Sequence, residues 1–330
     1  MDRRKILITE PMPYVDEEIK ILSKYGEIIL ANTTNHDILK NKVTDVDIIM
    51  VVYAKITKDI IKSAPRLKGI VRYGIGVDNI DLDSATQHGV MVANVPDYGI
   101  TTVAEFTVGS ILALTRKIVF ADRYMRSKSY LDKWTSPPLF LRGIDLEGKT
   151  VGIIGLGRIG REVAKRLKNF SVKLLGYDPY VTEDMVSGLD IKLVDLDTLL
   201  ENSDIITIHV SLTKETYHLI DENKFRKMKD GVFIVNTSRG PVIDEKALIQ
   251  NLKTNKIAGC ALDVYEIEPL PIDSDLFMFD NIILTPHIAW YTEEAVKRLE
   301  FTAVEEAIRI LRGEIPKNLV NRGVIGKRRM

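Results

Sequence analysis

Cysteine is nearly absent from this chain of 330 residues, which contains one, Cys260, within the apolar run 257–262. A single cysteine cannot form an internal disulfide, so the cysteine content does not imply an oxidising compartment. Long apolar runs are absent too: none approaches the length of a membrane span, and the run behind the N-terminus is broken by Glu10 and Pro11. We therefore expect a cytoplasmic protein without a signal peptide or a membrane partner.

Net charge is also absent, because 46 Lys and Arg residues balance 46 Asp and Glu residues. Nothing in this balance favours nucleic acid or an anionic membrane as a partner. The short basic end, 327–329, is expected to be a frayed terminus. What remains is a chain that is 45% hydrophobic and 28% charged, which is long enough for two domains with cores of their own.

Apolar runs that alternate with amphipathic stretches predict two parallel, doubly wound α/β sheets. One series fills residues 5–95, and a second runs from Thr150 to about Pro286. Between them, Thr101–Ala121 is predicted to be one long helix and 126–149 an extended arm. A further long helix, Thr292–Arg312, is expected to return the chain to the first domain. The predicted domains are 1–100 with 293–330, and 101–292, the latter including a dimerisation arm, 121–149.

The second series opens with an apolar strand, 151–154, that runs into a Gly-x-Gly-x-x-Gly pattern before a helical stretch. Gly155 permits the tight turn, Gly157 lets the backbone approach a pyrophosphate, and Gly160 allows close packing of helix and strand. The start of the helix offers free N–H groups to phosphates. This context predicts a Rossmann dinucleotide-binding domain.

An acidic residue stands where the ribose of such a cofactor would lie. Asp178 ends the next predicted strand, close to twenty residues past the last glycine, so its carboxylate can bind the ribose hydroxyls. Pro179 and Tyr180 follow, and no cation awaits a 2′-phosphate. The sequence therefore predicts NAD rather than NADP.

Three charged side chains follow neighbouring strands of the second series. Because ligands bind beyond the carboxyl ends of parallel strands, we expect Arg239, Glu268 and His287 to meet at one edge. Arginine can grip a carboxylate with two hydrogen bonds, and histidine can give or take a proton near neutrality. The glutamate would orient the imidazole and favour its charged form. These groups suit reduction of a 2-keto acid by a nicotinamide.

Other polar residues admit structural or cofactor roles. Asn236, Thr237 and Ser238 precede Arg239 at the end of its strand, and His209 ends another strand, where packing against the cofactor suits it better than catalysis. Cys260 is predicted to be a buried structural thiol. No metal site is predicted.

The chain resembles the D-isomer-specific 2-hydroxyacid dehydrogenases over nearly its whole length. The resemblance is carried by these motifs: Gly74-Ile75-Gly76-Val77-Asp78-Asn79-Ile80-Asp81, Asn94-Val95-Pro96, Ala104-Glu105, Gly155-Leu156-Gly157-Arg158-Ile159-Gly160, Tyr177-Asp178-Pro179, Asn236-Thr237-Ser238-Arg239-Gly240, Ala261-Leu262-Asp263-Val264 and Thr285-Pro286-His287. It implies a Rossmann NAD-binding domain inserted in a discontinuous flavodoxin-like substrate domain.

The resemblance also implies roles for particular residues. The catalytic trio would be Arg239, Glu268 and His287. Other residues would contact NAD: Arg158 and Ile159 the pyrophosphate, Asp178 the ribose, and Val210, Thr237, Ser238 and Asp263 the remainder. Loops holding Tyr53 and Lys55, and Ile75 and Gly76, would bind the substrate acid, largely through backbone amides. Family members are usually homodimers, joined through the helix after Thr101 and the arm that holds Trp134.

The substrate within this family stays open. A D-3-phosphoglycerate dehydrogenase is a natural first hypothesis, but these enzymes usually place an arginine after the third strand, where only Lys55 could substitute here. We also expect no C-terminal regulatory domain after residue 330. Trp290 is similar to the aromatic residue that lines the pocket of C-terminal-binding proteins and could select an apolar keto acid, or it could pack against the hinge helix.

Three further alternatives remain. The chain could be a glyoxylate or hydroxypyruvate reductase, or an NAD-sensing binding protein of the C-terminal-binding-protein type. A less favoured alternative is an enzyme of the same fold whose substrate is formate or phosphite.

Overall fold

The computed structural model describes residues 3–128 and 138–329. These residues form two compact units, one made of residues up to 99 together with those from 291 onward, and the other made of residues 100–290. Each unit is built around a parallel sheet with helices on both faces. Within the described residues, no helix has the length and the apolar character that a membrane crossing requires.

The sheet of the first unit contains five parallel strands, in the order β2-β1-β3-β4-β5. This is the flavodoxin-like order. Strand β3 is buried along its whole length, as expected of a strand covered on both faces. The strands are β1 (Lys5–Ile8), β2 (Glu27–Leu30), β3 (Ile48–Val51), β4 (Gly69–Arg72) and β5 (Met91–Ala93), and the helices are α1 (Val15–Leu22), α2 (His36–Lys42), α3 (Lys58–Lys62) and α4 (Leu82–Gln87).

The sheet of the second unit contains seven parallel strands, in the order β12-β11-β10-β9-β6-β7-β8. Six consecutive strands, β8-β7-β6-β9-β10-β11, have the Rossmann order 3-2-1-4-5-6, and β12 adds a seventh strand beside β11. Its strands are β6 (Thr150–Ile154), β7 (Lys173–Tyr177), β8 (Ile191–Leu193), β9 (Ile205–Ile208), β10 (Val232–Asn236), β11 (Ile257–Leu262) and β12 (Ile282–Leu284). Its helices are α5 (Ile100–Thr115), α6 (Ile118–Arg126), α7 (Arg158–Leu167), α8 (Leu196–Asn202), α9 (Glu222–Lys227) and α10 (Glu245–Lys253).

The last helix, α11 (Glu293–Leu311), belongs to the first unit. The side chain of Thr292 caps it by accepting the N–H of Ala295 at 3.2 Å. A side chain at Gly69 would collide with Ile310, so glycine on β4 lets α11 lie close to the sheet. The fold is therefore the predicted one, two parallel α/β sheets with the second domain inserted in the first.

The predicted single helix over Thr101–Ala121 is wrong, because α5 ends at Thr115 and α6 begins at Ile118. Between them Lys117 has a φ of 58°, in the left-handed region. The carbonyl of Thr115 accepts the N–H of Ile144, a residue far along the chain, so α5 is capped from outside its own sequence. Part of the predicted arm, including Trp134, lies outside the described residues.

The C-terminal end is not frayed, contrary to expectation. The Arg329 guanidinium donates to the carbonyls of Ala64 and Pro65, at 2.9 Å each, and to that of Leu67 at 3.3 Å. The backbone N–H of Arg329 also bonds to the carbonyl of Gly89. The arginine thus fixes the terminus to the loop that follows α3.

Two carboxyl groups are fully buried in the first unit. Glu18 on α1 accepts the hydroxyl of Tyr73 at 2.9 Å, and Glu300 on α11 accepts the N–H of Tyr14 at 3.0 Å. Burial and the charge of Glu300 raise the pKa of Glu18 to about 8. Burial raises the pKa of Glu300 to about 7. Glu18 is therefore largely protonated in the folded protein at neutral pH.

Candidate active site

Arg239, Glu268 and His287 follow three neighbouring strands of the second sheet: β10, β11 and β12. Since the carboxyl ends of parallel strands meet at one edge, the topology delivers these residues to the same place. They belong to a single unit, so their mutual geometry is defined within it.

The imidazole and the carboxylate are in contact. Nδ1 of His287 lies 2.7 Å from Oε2 of Glu268, and Oε1 of Glu268 accepts the N–H of Tyr265 at 3.0 Å. The two side chains are 29% and 35% exposed, so a small molecule can reach the pair. Because Nδ1 faces the glutamate, Nε2 is the nitrogen left for another partner.

The Glu268 carboxyl is held in its charged form. Burial by itself would raise its pKa, but the hydrogen bond and charge of His287, the N–H of Tyr265 and the charge of Arg239 together lower that pKa below its ordinary value. The charged carboxylate at hydrogen-bond distance from Nδ1 fixes the orientation of the imidazole.

The loop that carries Arg239 is shaped by Asn236, the last residue of β10. The Asn236 amide donates to the carbonyl of Arg239 at 2.9 Å, and its oxygen accepts both the N–H and the hydroxyl of Ser238. A Cβ at Gly240 would fall 1.9 Å from the carbonyl carbon and oxygen of Tyr265. Only glycine therefore allows the loop of Arg239 to pack against the loop that ends in Glu268.

His287 adopts a backbone conformation that is unusual for its residue type. Its φ is 55°, in the left-handed region. Its carbonyl accepts the indole N–H of Trp290 at 3.0 Å, and the hydroxyl of Tyr265 donates to the carbonyl of Thr285 at 2.9 Å. Contacts on both sides of the residue thus hold the imidazole in place, as expected where backbone strain accompanies function.

Asp263 supplies most of this support. Its carboxylate is 2% exposed and accepts the hydroxyl of Thr285 at 2.6 Å and the N–H groups of Ile288 and Ala289 at 2.9 and 2.8 Å. Burial raises its pKa despite these bonds. The observed contacts of Asp263, predicted from the resemblance to bind NAD, are thus with the segment that carries His287.

The glycine turn between β6 and α7 has the geometry that a dinucleotide needs. Gly155 has a φ of 92° and packs against the backbone of His209, and a Cβ at Gly160 would lie 2.0 Å from the carbonyl oxygen of Gly155. By contrast, a Cβ at Gly157 would have open space around it. The backbone here is accessible at the N-terminus of α7, where Arg158 is exposed and Ile159 is half-buried, so these residues fit a pyrophosphate.

Asp178 is fixed at the end of β7 by two backbone groups. One carboxylate oxygen accepts the N–H of Leu156 at 2.8 Å, and the other accepts the N–H of Tyr180 at 2.9 Å. Each oxygen keeps a second lone pair, so the carboxylate fits a ribose diol beside the glycine turn.

The remaining predicted cofactor residues lie at the same sheet edge. Nε2 of His209 lies 2.9 Å from the Thr207 hydroxyl, and burial lowers the pKa of His209 to about 3, so this ring is neutral. Val210 packs close to Gly155. The Thr237 hydroxyl bonds to that of Thr107 on α5 at 3.0 Å.

The predicted substrate loops of the first unit follow β3 and β4, which are neighbours in its sheet. The side chains of Tyr53 and Lys55 are exposed, whereas those of Val52, Ala54 and Ile56 are buried. The carboxylate of Glu10 accepts the amides of Tyr53 and Ala54, at 2.7 and 2.8 Å. Those two amides are therefore already bonded, and recognition by this loop is left to side chains and to later amides.

The second loop is different. Ile75 and Gly76 donate no backbone hydrogen bond to any residue of the described chain, and the Asn94 amide donates to the carbonyl of Ile75 at 2.7 Å.

Sequence reasoning missed four residues that shape these loops. Tyr265 and Thr107 support the site in the second unit, and Glu10 and Asn79 support the first loop. The sequence did not single out Thr107, because α5 contains other polar residues, among them Thr102, Glu105 and Ser110. Among the described residues, no group of three or more histidine, cysteine or acidic side chains could hold a metal ion.

Comparison with known proteins extends this picture. Residues 108–289 match the family model of the D-isomer specific 2-hydroxyacid dehydrogenase NAD-binding domain. A glyoxylate reductase of Thermofilum pendens is 43% identical over 98% of this chain and 96% of its own length. A D-3-phosphoglycerate dehydrogenase of Methanocaldococcus jannaschii is 42% identical over 96% of this chain, which spans 59% of that relative's length.

Solved structures agree with the sequence relatives. A D-lactate dehydrogenase of Aquifex aeolicus, solved with NAD and lactic acid, superposes with a TM-score of 0.84 at 31% identity, over 98% of both chains. The residues at the glycine turn fit the cofactor that the matched domain binds. The chain belongs to the D-isomer specific 2-hydroxyacid dehydrogenase family and is an NAD-dependent oxidoreductase.

Proposed function

We propose that this enzyme reduces a small, unphosphorylated 2-keto acid, glyoxylate or hydroxypyruvate, with NADH, and catalyses the reverse oxidation of the D-2-hydroxy acid. The contact between Nδ1 of His287 and Oε2 of Glu268, within the field of Arg239, carries this proposal. Keto acid reduction requires a proton donor and a cation for the acid group, and this sheet edge supplies both.

In this mechanism Arg239 binds the substrate carboxylate with two parallel hydrogen bonds. His287 donates its Nε2 proton to the carbonyl oxygen, and Glu268 stabilises the charged ring from the Nδ1 side. NADH, when bound, supplies the hydride. In the oxidation direction the same imidazole accepts the hydroxyl proton. Asp263, Tyr265 and Trp290 hold the His287 segment in its left-handed conformation throughout.

The cofactor would be held by the residues predicted for it. Amides of the turn that contains Gly155, Gly157 and Gly160 would bind the pyrophosphate together with Arg158 and Ile159. Asp178 would accept both ribose hydroxyls, a role for which its free lone pairs suit it. His209, Val210, Thr237, Ser238 and Asp263 would contact the remainder.

The substrate class rests on the first unit. We infer that the amides of Ile75 and Gly76 bind the acid group, and that Tyr53, Lys55 and Trp290 border the keto acid. No arginine stands in the loop after β3 to bind a phosphate. The 43% identical relative over nearly the full chain is a glyoxylate reductase, which supports a small substrate.

D-3-Phosphoglycerate is the second candidate. Lys55 is an exposed cation after β3, and a relative of that name is 42% identical to this chain. An ammonium group can attract a phosphate, although it lacks the fork geometry of arginine.

We also propose a homodimer joined through α6 and the described part of the arm, 138–149. Ile118, Met125, Leu139 and Phe140 are large apolar side chains that are 57%, 41%, 78% and 62% exposed in the single chain. Exposure of this kind is typical of a surface that is covered by a partner. Sedimentation of the purified protein would test this proposal.

The proposed reaction is tested by following NADH oxidation with glyoxylate, hydroxypyruvate, pyruvate and 3-phosphohydroxypyruvate. His287→Ala should lower kcat by about 10²–10⁴-fold with NADH binding intact. Arg239→Ala should act mainly on KM. His218→Ala is the matched control, because Nε2 of His218 also bonds to a glutamate, Glu266, at 2.8 Å on the neighbouring loops.

Full activity of His287→Ala would contradict the mechanism. A marked preference for 3-phosphohydroxypyruvate would favour the second candidate. Tight NADH binding without turnover of any keto acid would favour the NAD-sensing binding protein.

A further inference from the structure

The Glu10 carboxylate lies under the loop that follows β3 and binds its backbone. Oε1 accepts the amides of Tyr53 and Ala54 at 2.7 and 2.8 Å, and Oε2 accepts the amide of Val52 at 3.3 Å and contacts the Thr9 hydroxyl. Three successive N–H groups thus converge on one side chain, which comes from the end of a different strand, β1.

Asn79 holds the same segment from its carbonyl groups. Its side-chain amide donates to the carbonyls of Val52 at 3.3 Å and Ala54 at 2.9 Å. The backbone carbonyl of Asn79 accepts the N–H of Ile56. A charged acceptor and an amide donor therefore bind the donors and the acceptors of 52–54. The bend at 52–53 is thereby held through both its N–H and its carbonyl groups.

The consequence is a fixed direction for two side chains. Val52, Ala54 and Ile56 are buried, whereas Tyr53 and Lys55 between them are exposed, so both of these side chains face away from the core of the unit. Tyr53 is 54% exposed, whereas Val52 and Ala54 are 3% and 1% exposed. A phenol and an ammonium group are thus both exposed on a segment whose backbone is bonded to Glu10 and Asn79.

We propose that Glu10 is a positioning residue for substrate recognition: by binding the amides of 52–54 it sets Tyr53 and Lys55 in the orientation that selects the keto acid. The inference rests on the proposed function, in which those two side chains border the substrate. Glu10 itself does not touch the substrate. Displacing a binding group by about 1 Å can cost about 10²-fold in efficiency, so a positioning residue has a measurable effect.

Hydrogen exchange and steady-state kinetics of Glu10→Ala and Glu10→Gln test the two halves of this proposal. In Glu10→Ala, exchange of the 52–54 amides should accelerate at least about tenfold, since their acceptor is gone. KM for the keto acid should rise about tenfold or more, with kcat and the Kd of NADH within about twofold of the wild type. Glu10→Gln keeps one acceptor oxygen and should restore most of the KM.

Glu306→Ala is the matched control in the same unit. The Glu306 carboxylate likewise accepts two successive backbone amides, Lys317 and Asn318, at 2.9 and 3.0 Å, in a segment without a proposed substrate contact. It should accelerate exchange at 317–318 and leave KM unchanged. Asn79→Ala should reproduce the KM effect of Glu10→Ala, so the proposal stays testable if that variant fails to fold.

Unchanged exchange at 52–54 in Glu10→Ala overturns the proposal, as does faster exchange with an unchanged KM. If the wild type reduces no keto acid, the proposed function fails. The exchange measurement then still decides whether Glu10 holds the loop.

Discussion

Replacing the buried Glu18 by glutamine should change how the stability of the protein depends on pH. In the folded chain burial raises the pKa of this carboxyl from 4.5 to about 8. The folded state therefore keeps a proton that the unfolded chain releases at much lower pH. This contribution to stability is complete below about pH 4.5 and is lost as pH rises through the folded pKa.

The size of the effect follows from the same values. Each pH unit between the two pKa values costs about 1.4 kcal/mol of unfolding free energy. Between about pH 5.5 and about pH 8 this amounts to about 3 kcal/mol for Glu18 alone. The charge of Glu300 is one of the causes of this shift, after burial, and its effect is included in the figure.

Glutamine has nearly the same shape and does not titrate. It can still accept the Tyr73 hydroxyl, but its NH₂ group would occupy the place of Oε1, which has no hydrogen-bond partner within the described chain. We therefore expect the free energy of unfolding of Glu18→Gln to be about 1–3 kcal/mol lower than that of the wild type at low pH, where Glu18 is protonated. By about pH 8.5 this difference in unfolding free energy should disappear or change sign, because the wild type has lost the contribution of the protonated Glu18.

Urea denaturation followed by circular dichroism, at about pH 5.5 and about pH 8.5, measures this change. The exposed Asp16→Asn on the same helix is the control, since it removes a carboxylate that is not buried. Parallel losses of stability in the wild type and Glu18→Gln over this range would refute the reasoning.

Three further predictions concern the site and the terminus. Glu268→Gln should lower kcat by about 10–10²-fold, because a neutral amide no longer stabilises the protonated His287, while NADH binding measured by fluorescence stays unchanged. Asp178→Ala should weaken NADH binding and reduce the preference for NADH over NADPH, which competing titrations would show; an unchanged preference would argue against ribose binding by Asp178. Arg329→Ala should cost about 1–3 kcal/mol of unfolding free energy, seen as a lower Tm, because three carbonyls lose a charged donor; a Tm equal to that of the wild type would contradict this.

The strands were predictable because a parallel sheet covered on both faces needs continuous apolar runs. Such runs marked β3, β6 and β11 clearly. Strand β8 was missed because it has three residues, Ile191–Leu193, with a lysine between two apolar side chains. A run this short carries no periodicity.

Long-range contacts explain the other errors. Helix α5 ends where the N–H of Ile144 donates to the carbonyl of Thr115. The C-terminal end is fixed because Arg329 donates to carbonyls in the loop after α3. Neither partner is close in sequence to the residue that it binds. Local patterns therefore predicted a continuous helix and a free end, and the tertiary fold decided otherwise.

Chain order alone was enough to predict that Glu268 and His287 follow adjacent strands, because strands β11 and β12 are neighbours in the sheet. The support of the imidazole could not be predicted in the same way. The amides of Ile288 and Ala289 donate to Asp263 in a loop where His287 has a positive φ. A sequence shows which acids follow strands, but not which backbone amides turn toward them.

Four acids near strand ends show how the structure separates their roles. The carboxylates of Glu10, Asp178 and Asp263 each accept hydrogen bonds from two or more backbone amides and thereby hold a turn or a loop. Glu268 accepts one amide and directs its other oxygen at an imidazole. Glu268 is the one of the four that is hydrogen-bonded to a titratable side chain, which is why we propose it as the acid that acts in proton transfer. The number of backbone amides bonded to each carboxylate thus separates the three acids that hold a turn or a loop from Glu268, the acid that we propose for catalysis.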